Sequence, residues 1–287
     1  MLISELSISK ARNWLLNLDI APTETERQLQ RLLGIYSAQT LESRITVTVD
    51  EYLYQLVDNL DQFDWKNYSG DPILALTVHT LLHKKGINHP SLTELSSGYG
   101  LLLQELQHPL DAEFSLVCEL LLRLGIETPK TKIPEIILPQ ASELIYMDRK
   151  KFINVCNVIT AVTAFGSRKI EVNDLDTILP HLTISYAMNW DLEIVCLLLR
   201  TCNYLELCHN TFCNWAVEWL LDQQHSDGYF GLLLPEIHCA GGNPENWEHY
   251  FLTTVGVLWT LNELYRGKFQ LPKEKGSISP EINSETG

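Results

Sequence analysis

Several things are scarce in this chain. No run reaches the ~18 consecutive apolar residues that a membrane helix needs, so no membrane span is expected. Cations are few: 21 Lys and Arg stand against 36 Asp and Glu, leaving a formal charge of −15 and a pI near 5.0. Such a surface repels phosphate backbones and anionic lipid, and no nucleic-acid partner is expected. The basic clusters, Arg149-Lys150-Lys151 and Lys273-Glu274-Lys275, are short. Ala240-Gly241-Gly242-Asn243 lacks the Lys-Ser/Thr that makes a glycine loop bind phosphate. No Gly-x-Ser-x-Gly elbow or dinucleotide fingerprint occurs. Met1–Leu6 has no basic segment ahead of an apolar run, so it does not read as a secretory signal. The seven cysteines are odd in number, and Cys118, Cys156 and Cys196 sit within apolar helical patterns. Buried reduced thiols, and with them a cytoplasmic location, are the expectation.

What is abundant is helical periodicity. Leu29, Leu32, Leu33 and Tyr36 make one stripe; Leu53, Leu56, Val57 and Leu60 make another. Asp71-Pro72 opens a helix with a cap and a proline at its first position. Further helices are predicted over 93–106, 110–124, 148–165, 175–182, 184–204, 211–224 and 244–265. Gly86, Gly125, Gly166 and Gly267 follow helical runs, where a left-handed residue closes a helix at least cost. Ile45–Val49 and Ile136–Leu138 are strand-like but too short to build a sheet. The fold class is all-α. The chain divides into an N-terminal helical half over 1–126, a connecting loop over 127–147, a C-terminal half over 148–267, and a tail over 268–287 predicted to be disordered.

Two segments resemble each other. Leu110–Arg123 and Asn189–Arg200 each carry an acidic first turn, a Val-Cys pair, a Leu triplet and an Arg, although Glu119 has no counterpart after Cys196. Acidic residues suit any helix start through the macrodipole; duplication of a helical hairpin explains the likeness equally well, and repetition is the mark of toroids and solenoids.

The richest stretch is Trp215–Leu264. A helix ends in Trp219-Leu220-Leu221-Asp222-Gln223-Gln224 and runs into Asp227-Gly228-Tyr229-Phe230-Gly231; a second apolar helix follows from Trp247. Asp-Gly suits a sharp turn because glycine tolerates positive φ and Asp accepts nearby backbone hydrogen bonds. This hairpin resembles one unit of the α/α toroids of terpenoid cyclases and protein prenyltransferases. The resemblance implies an α/α toroid or an incomplete horseshoe of helical hairpins around a cavity. It also implies an enzyme of bacterial specialised metabolism acting on or binding a hydrophobic small molecule or peptide. Tyr229, Phe230 and Trp247 would line or brace that cavity.

In prenyltransferases a zinc-binding His opens a late inner helix with a Gly seven residues on, a spacing matched by His249 and Gly256. The partner Asp-x-Cys pair is represented here by Asp191-x-Glu193. The resemblance thus implies a divalent metal on Asp191, Glu193 and His249, harder than zinc because carboxylate replaces thiolate, with Asp227 a further candidate catalytic acid. The other reading makes Asp191 and Glu193 ordinary first-turn residues. Asp174-Leu175-Asp176-Thr177 lacks the last acid of a protonating cyclase motif. Ile153–Gly166 resembles a motif of bacterial toroid-like proteins, Thr-His-x-x-Phe-Tyr-x-x-Asp-Phe-Gly, but keeps only Phe165-Gly166; Asn157 and Ala164 replace its His and Asp. These departures favour a non-catalytic module holding a partner protein or peptide.

Lesser constellations carry bland readings. Asp58, Asp61 and Asp64 read as a solvated face. His79 and His83 share a helical face, but Thr80 stands where a metalloprotease needs Glu. Cys202, Cys208 and Cys213, beside His209, lack the spacing of a zinc knuckle. His238-Cys239 suggests a weak nucleophile–base pair at a cavity mouth.

Overall fold

The computed structural model describes residues 5–21, 23–42, 53, 57, 60, 68, 70–105, 112–128, 138–171, 174–231 and 247–266. Among these residues, eleven helices pack on one another, with no strand beyond the isolated bridge between Gln224 and Phe230. They are α1 (Glu5–Leu16), α2 (Thr25–Glu42), α3 (Pro72–Lys84), α4 (Pro90–Glu105), α5 (Ala112–Arg123), α6 (Ala141–Ile145), α7 (Arg149–Val162), α8 (Leu175–Met188), α9 (Leu192–Tyr204), α10 (Thr211–Asp222) and α11 (Glu248–Arg266). The strand-like Ile45–Val49, the acids Asp58, Asp61 and Asp64, the pair His238-Cys239 and the tail over 268–287 lie outside the described residues. So does most of Ile136–Leu138, of which Leu138 alone is described and stands in no strand.

Local chemistry sets the boundaries. The side chains of Asp71, Asp148, Asp191 and Asn210 accept hydrogen bonds from the backbone N–H groups of Ile73, Lys151, Ile194 and Phe212, at 2.8, 2.9, 3.1 and 2.8 Å. Each satisfies a donor that a helix start leaves orphaned. Gly86, Gly125 and Gly166 close α3, α5 and the turn after α7 with φ of 77°, 76° and 76°, as predicted. The helix expected over 184–204 is in fact two. The chain breaks at Trp190, whose φ is +61°, and Asp191 caps a new start. Conversely, α8 runs from Leu175 to Met188 with Pro180 inside it, where the periodicity predicted an end at Leu182.

The helices alternate in role. One set forms a circuit: α2 packs on α3, α3 on α5, α5 on α7, α7 on α9, α9 on α11, and α11 returns to α2. The others lie against this set: α1 on α2 and α11, α4 on α3 and α5, and α8 on α9 with α10 beside it. The main apolar core runs from Ile8 of α1 to Leu264 of α11, so residues near both ends of the chain share it. A smaller cluster around Leu76, Leu103, Val117 and Leu121 fills the α3–α4–α5 corner.

One buried polar contact locks α3 to α4. His79 is 4% exposed, and its Nδ1 lies 2.7 Å from Ser96 Oγ. Burial, with repulsion from His83 and His89, pushes its pKa from 6.5 down to about 4. The unfolded chain therefore takes up this proton at a higher pH than the folded chain does. Stability is fully present above the ordinary imidazole value and is lost as the pH falls from about 6.5 toward about 4. The melting temperature should drop across that window, and His79→Asn, which keeps an acceptor near Ser96, should flatten the drop. An unchanged pH profile in the variant would remove His79 as its cause.

Candidate functional site

Five of the circuit's six helices line a cavity of about 310 Å³. Asp71 and Ile73 reach it from the start of α3, Leu116 from α5, and Ile153, Asn157 and Thr160 from α7. Glu193, Leu197, Arg200 and Tyr204 reach it from α9, and Trp259 from α11; Phe165 joins them from the turn after α7. The spacing is helical throughout: 153, 157, 160 on one wall and 193, 197, 200, 204 on the next, each a stripe at i, i+4, i+7. A second hollow of about 200 Å³ shares Phe165, Tyr204 and Trp259 with the first. Its other lining residues lie toward the ends of the same helices, among them Lys84, Arg123, Asn203 and Glu263. The lining numbers rise in one direction along α3, α5 and α9, so these helices run in the same sense past the two hollows.

Polar groups on this wall differ in how they are used. Thr160 donates to Cys156 O at 2.8 Å. The Arg200 guanidinium lies 3.7 Å from the Trp259 ring centroid, and its Nε is buried without a hydrogen-bond partner. Behind the wall the Cys156 and Cys196 thiols are pushed up to about 12 and about 11 by burial, which keeps them protonated and poor nucleophiles.

The acidic pair predicted from the prenyltransferase likeness belongs to the rim. Arg149 Nε donates to Asp191 Oδ2 at 3.2 Å, and Arg149 Nη2 donates to Glu193 Oε2. These two hydrogen bonds raise the guanidinium's pKa. Glu193 lines the cavity at its mouth, with its side chain 71% exposed. His249 is exposed in the first turn of α11 and is not brought to them. Among the described residues no three or more His, Cys, Asp or Glu side chains form a group able to hold a metal ion. The implied metal therefore does not fit Asp191, Glu193 and His249: two are held by Arg149 and the third stands apart. The same holds for the thiol trio. Cys202, Cys208 and Cys213 lie together, with Cys202 and Cys208 raised by hydrogen bonding to Cys213 and by burial, while His209 is exposed. His79 and His83 turn to different partners, Ser96 and Asn88.

The Asp-Gly turn braces, and does not line, the cavity. His225 N donates to Tyr229 O at 2.9 Å and Gly228 N to His225 O at 2.9 Å. Gln224 Nε2 donates both to Gly228 O, at 2.9 Å, and to Ser7 O of α1, at 2.7 Å. Phe230, 1% exposed, donates its N–H to Thr254 Oγ1 of α11 at 2.9 Å. The Tyr229 ring sits 5.4 Å from Trp14 of α1 and 4.5 Å from Tyr250 of α11. Trp247 packs edge-on to Phe251 and takes Arg27 of α2 at 5.3 Å from its centroid. Asp227 is exposed at the turn's tip, where Ser226 Oγ donates to it. Tyr229, Phe230 and Trp247 thus pack between helices, and neither they nor Asp227 line the cavity.

Sequence reasoning passed over Arg200, Tyr204 and Trp259. The repeated Leu-x-x-Arg of Leu120–Arg123 and Leu197–Arg200 was the available signal: both copies face the hollows. Compared with protein-family models, curated proteins and solved structures, the chain finds no match in any of the three.

Two outcomes follow. Gly228 has φ +107°, and a Cβ there would stand 2.4 Å from Lys10 O. Gly228→Ala should cost about 2 kcal/mol or more and lower the melting temperature by several degrees; a shift under a degree would mean the turn yields freely. A double-mutant cycle of Arg149→Met with Asp191→Asn should give a coupling below about 1 kcal/mol, since the pair is half-exposed. A much larger coupling would mark a desolvated, functionally tuned pair.

Proposed function

We propose that this chain is an α/α toroid that binds a hydrophobic small molecule in its central cavity. The observation that carries the reading is the circuit of helices returning from α11 to α2, with Leu116, Ile153, Leu197, Phe165 and Trp259 walling the hollow within it. Ligand sites are concave, mainly apolar, and hold a few placed polar groups. The hairpin likeness to terpenoid cyclases and prenyltransferases supports the same architecture. Size decides between the two ligand classes: about 310 Å³ is near the lower end of the ~300–1,000 Å³ of small-molecule sites, so a compact molecule suits it better than a folded peptide. The role is binding. Asp191 and Glu193 answer to Arg149 at the rim, and the buried thiols next to the cavity are held in their unreactive form.

Octanol is a suitable neutral probe. Titration calorimetry should give saturable one-to-one binding to the full chain. Leu197→Trp, which puts an indole into the hollow, should reduce that affinity at least tenfold while circular dichroism keeps the helical spectrum. Equal affinity in the variant would place the bound octanol elsewhere.

A further inference from the structure

The cavity wall carries a cation that no hydrogen bond or ion pair among the described residues holds. Resting on the toroid-cavity reading above, we infer that Arg200, with Asn157, receives the carboxylate of an apolar monocarboxylic acid whose body lies against Leu197, Ile153 and Trp259.

The argument starts from the repeated helix. Arg123 and Arg200 close the same Leu-triplet sequence on α5 and α9 and both face the hollows. Arg123 is held by three groups: its Nε reaches Glu119 at 3.3 Å, and its Nη2 donates to Ala164 O and to Ser167 Oγ. It also lies over the Phe165 ring at 4.7 Å. Four residues before Arg200, where Glu119 stands in the other copy, is Cys196, so the partner is missing from the sequence. The structure supplies no substitute. The Arg200 guanidinium makes no hydrogen bond or ion pair among the described residues, and Trp259, at 3.7 Å, is the one group stacked on it. Glu193 is two turns away, about 10 Å along α9, and is already held by Arg149. Asn157, half-buried on α7, faces the same cavity with no hydrogen bond to any described residue. A planar guanidinium fixed on an aromatic face, sharing its cavity with an amide donor, presents the fork that a carboxylate accepts in bidentate fashion.

Charge separates this ligand from its rivals. One cation matches one negative charge. The carboxylates of Asp71 and Glu193, on the same wall, oppose a polyanion such as a diphosphate, while a cationic ligand would face Arg200 directly. A ligand without an acceptor would leave the guanidinium's buried Nε with nothing to bond, and a neutral hydroxyl would offer one uncharged acceptor where a carboxylate offers two charged ones.

The test uses octanoate, octanol and octylamine against the full-length protein by titration calorimetry, in wild type, Arg200→Gln and Asn157→Asp. The expected result is octanoate bound at least tenfold tighter than octanol and octylamine weakest. Arg200→Gln should bring octanoate down at least tenfold, to the affinity of octanol, while octanol binding changes far less. Asn157→Asp, which keeps the side chain's size and adds a like charge, should weaken octanoate alone and serves if Arg200→Gln fails to fold. Octanol binding as tightly as octanoate in wild type overturns the carboxylate inference and leaves the cavity reading standing. Binding of neither overturns both. An octanoate preference that survives Arg200→Gln and Asn157→Asp removes these two residues from the site.

Discussion

Everything else in this fold depends on how its two ends are joined. A circuit of helices encloses space only if the last returns to the first, and here α11 lies along α2 while α1 seals the seam. Gly34 makes the approach possible: a Cβ there would stand 2.7 Å from Leu15 Cδ1 and 3.2 Å from Val255 Cγ2. The Asp-Gly turn then fastens the seam from outside, with Gln224 donating to Ser7 O and Phe230 to Thr254 Oγ1. Each such hydrogen bond contributes only about 1 kcal/mol net. The larger stabilisation is apolar, at roughly 25 cal/mol per Å² removed from water, from fully buried residues such as Leu15, Ile35, Phe251 and Leu258. The hydrogen bonds set the register; burial supplies most of the energy. Buried charge is used here too, with the Arg12–Glu42 pair almost wholly enclosed between α1 and α2.

With the seam closed, the inner walls acquire their chemistry from helical spacing alone. Residues at i, i+4 and i+7 line each wall, and a short repeated string places one arginine on each of the two adjoining hollows. One is absorbed into the structure by Glu119 and the carbonyl of Ala164. The other has cysteine where the acid would be and remains available. The difference between an arginine held by a carboxylate and one left stacked on Trp259 is thus a single residue on the preceding turn.

The sequence announces its helices and caps clearly, because they are local events. Asp71 and the glycines at 86, 125 and 166 act where they were read. The Asp-Gly turn was also legible, since glycine at 228 takes the positive φ that such a turn needs. What failed was tertiary. The break at Trp190 depends on a left-handed residue that no propensity favours. A helical face does not name the residue across from it, and so the capture of Asp191 and Glu193 by Arg149, more than forty positions earlier, could not be read from the Asp-x-Glu spacing. Arg200 was hidden for the same reason: its significance lies in partners it lacks.

A lone arginine as anion receptor has to work against the rest of the molecule. The formal charge of −15 gives the protein a field that slows the approach of any anion. At physiological salt that field decays within roughly 8 Å, so it acts mainly outside the cavity mouth. There, Arg149 offsets Asp191 and Glu193 at short range. Inside, low polarity strengthens the contact of a carboxylate with Arg200, and the apolar walls add the burial of the ligand's hydrocarbon. Small anions without an apolar body gain only the first of these terms and meet the same repulsion on the way in. On the proposed reading, selectivity comes from the conjunction of one charge with one apolar body, and neither alone gives strong binding.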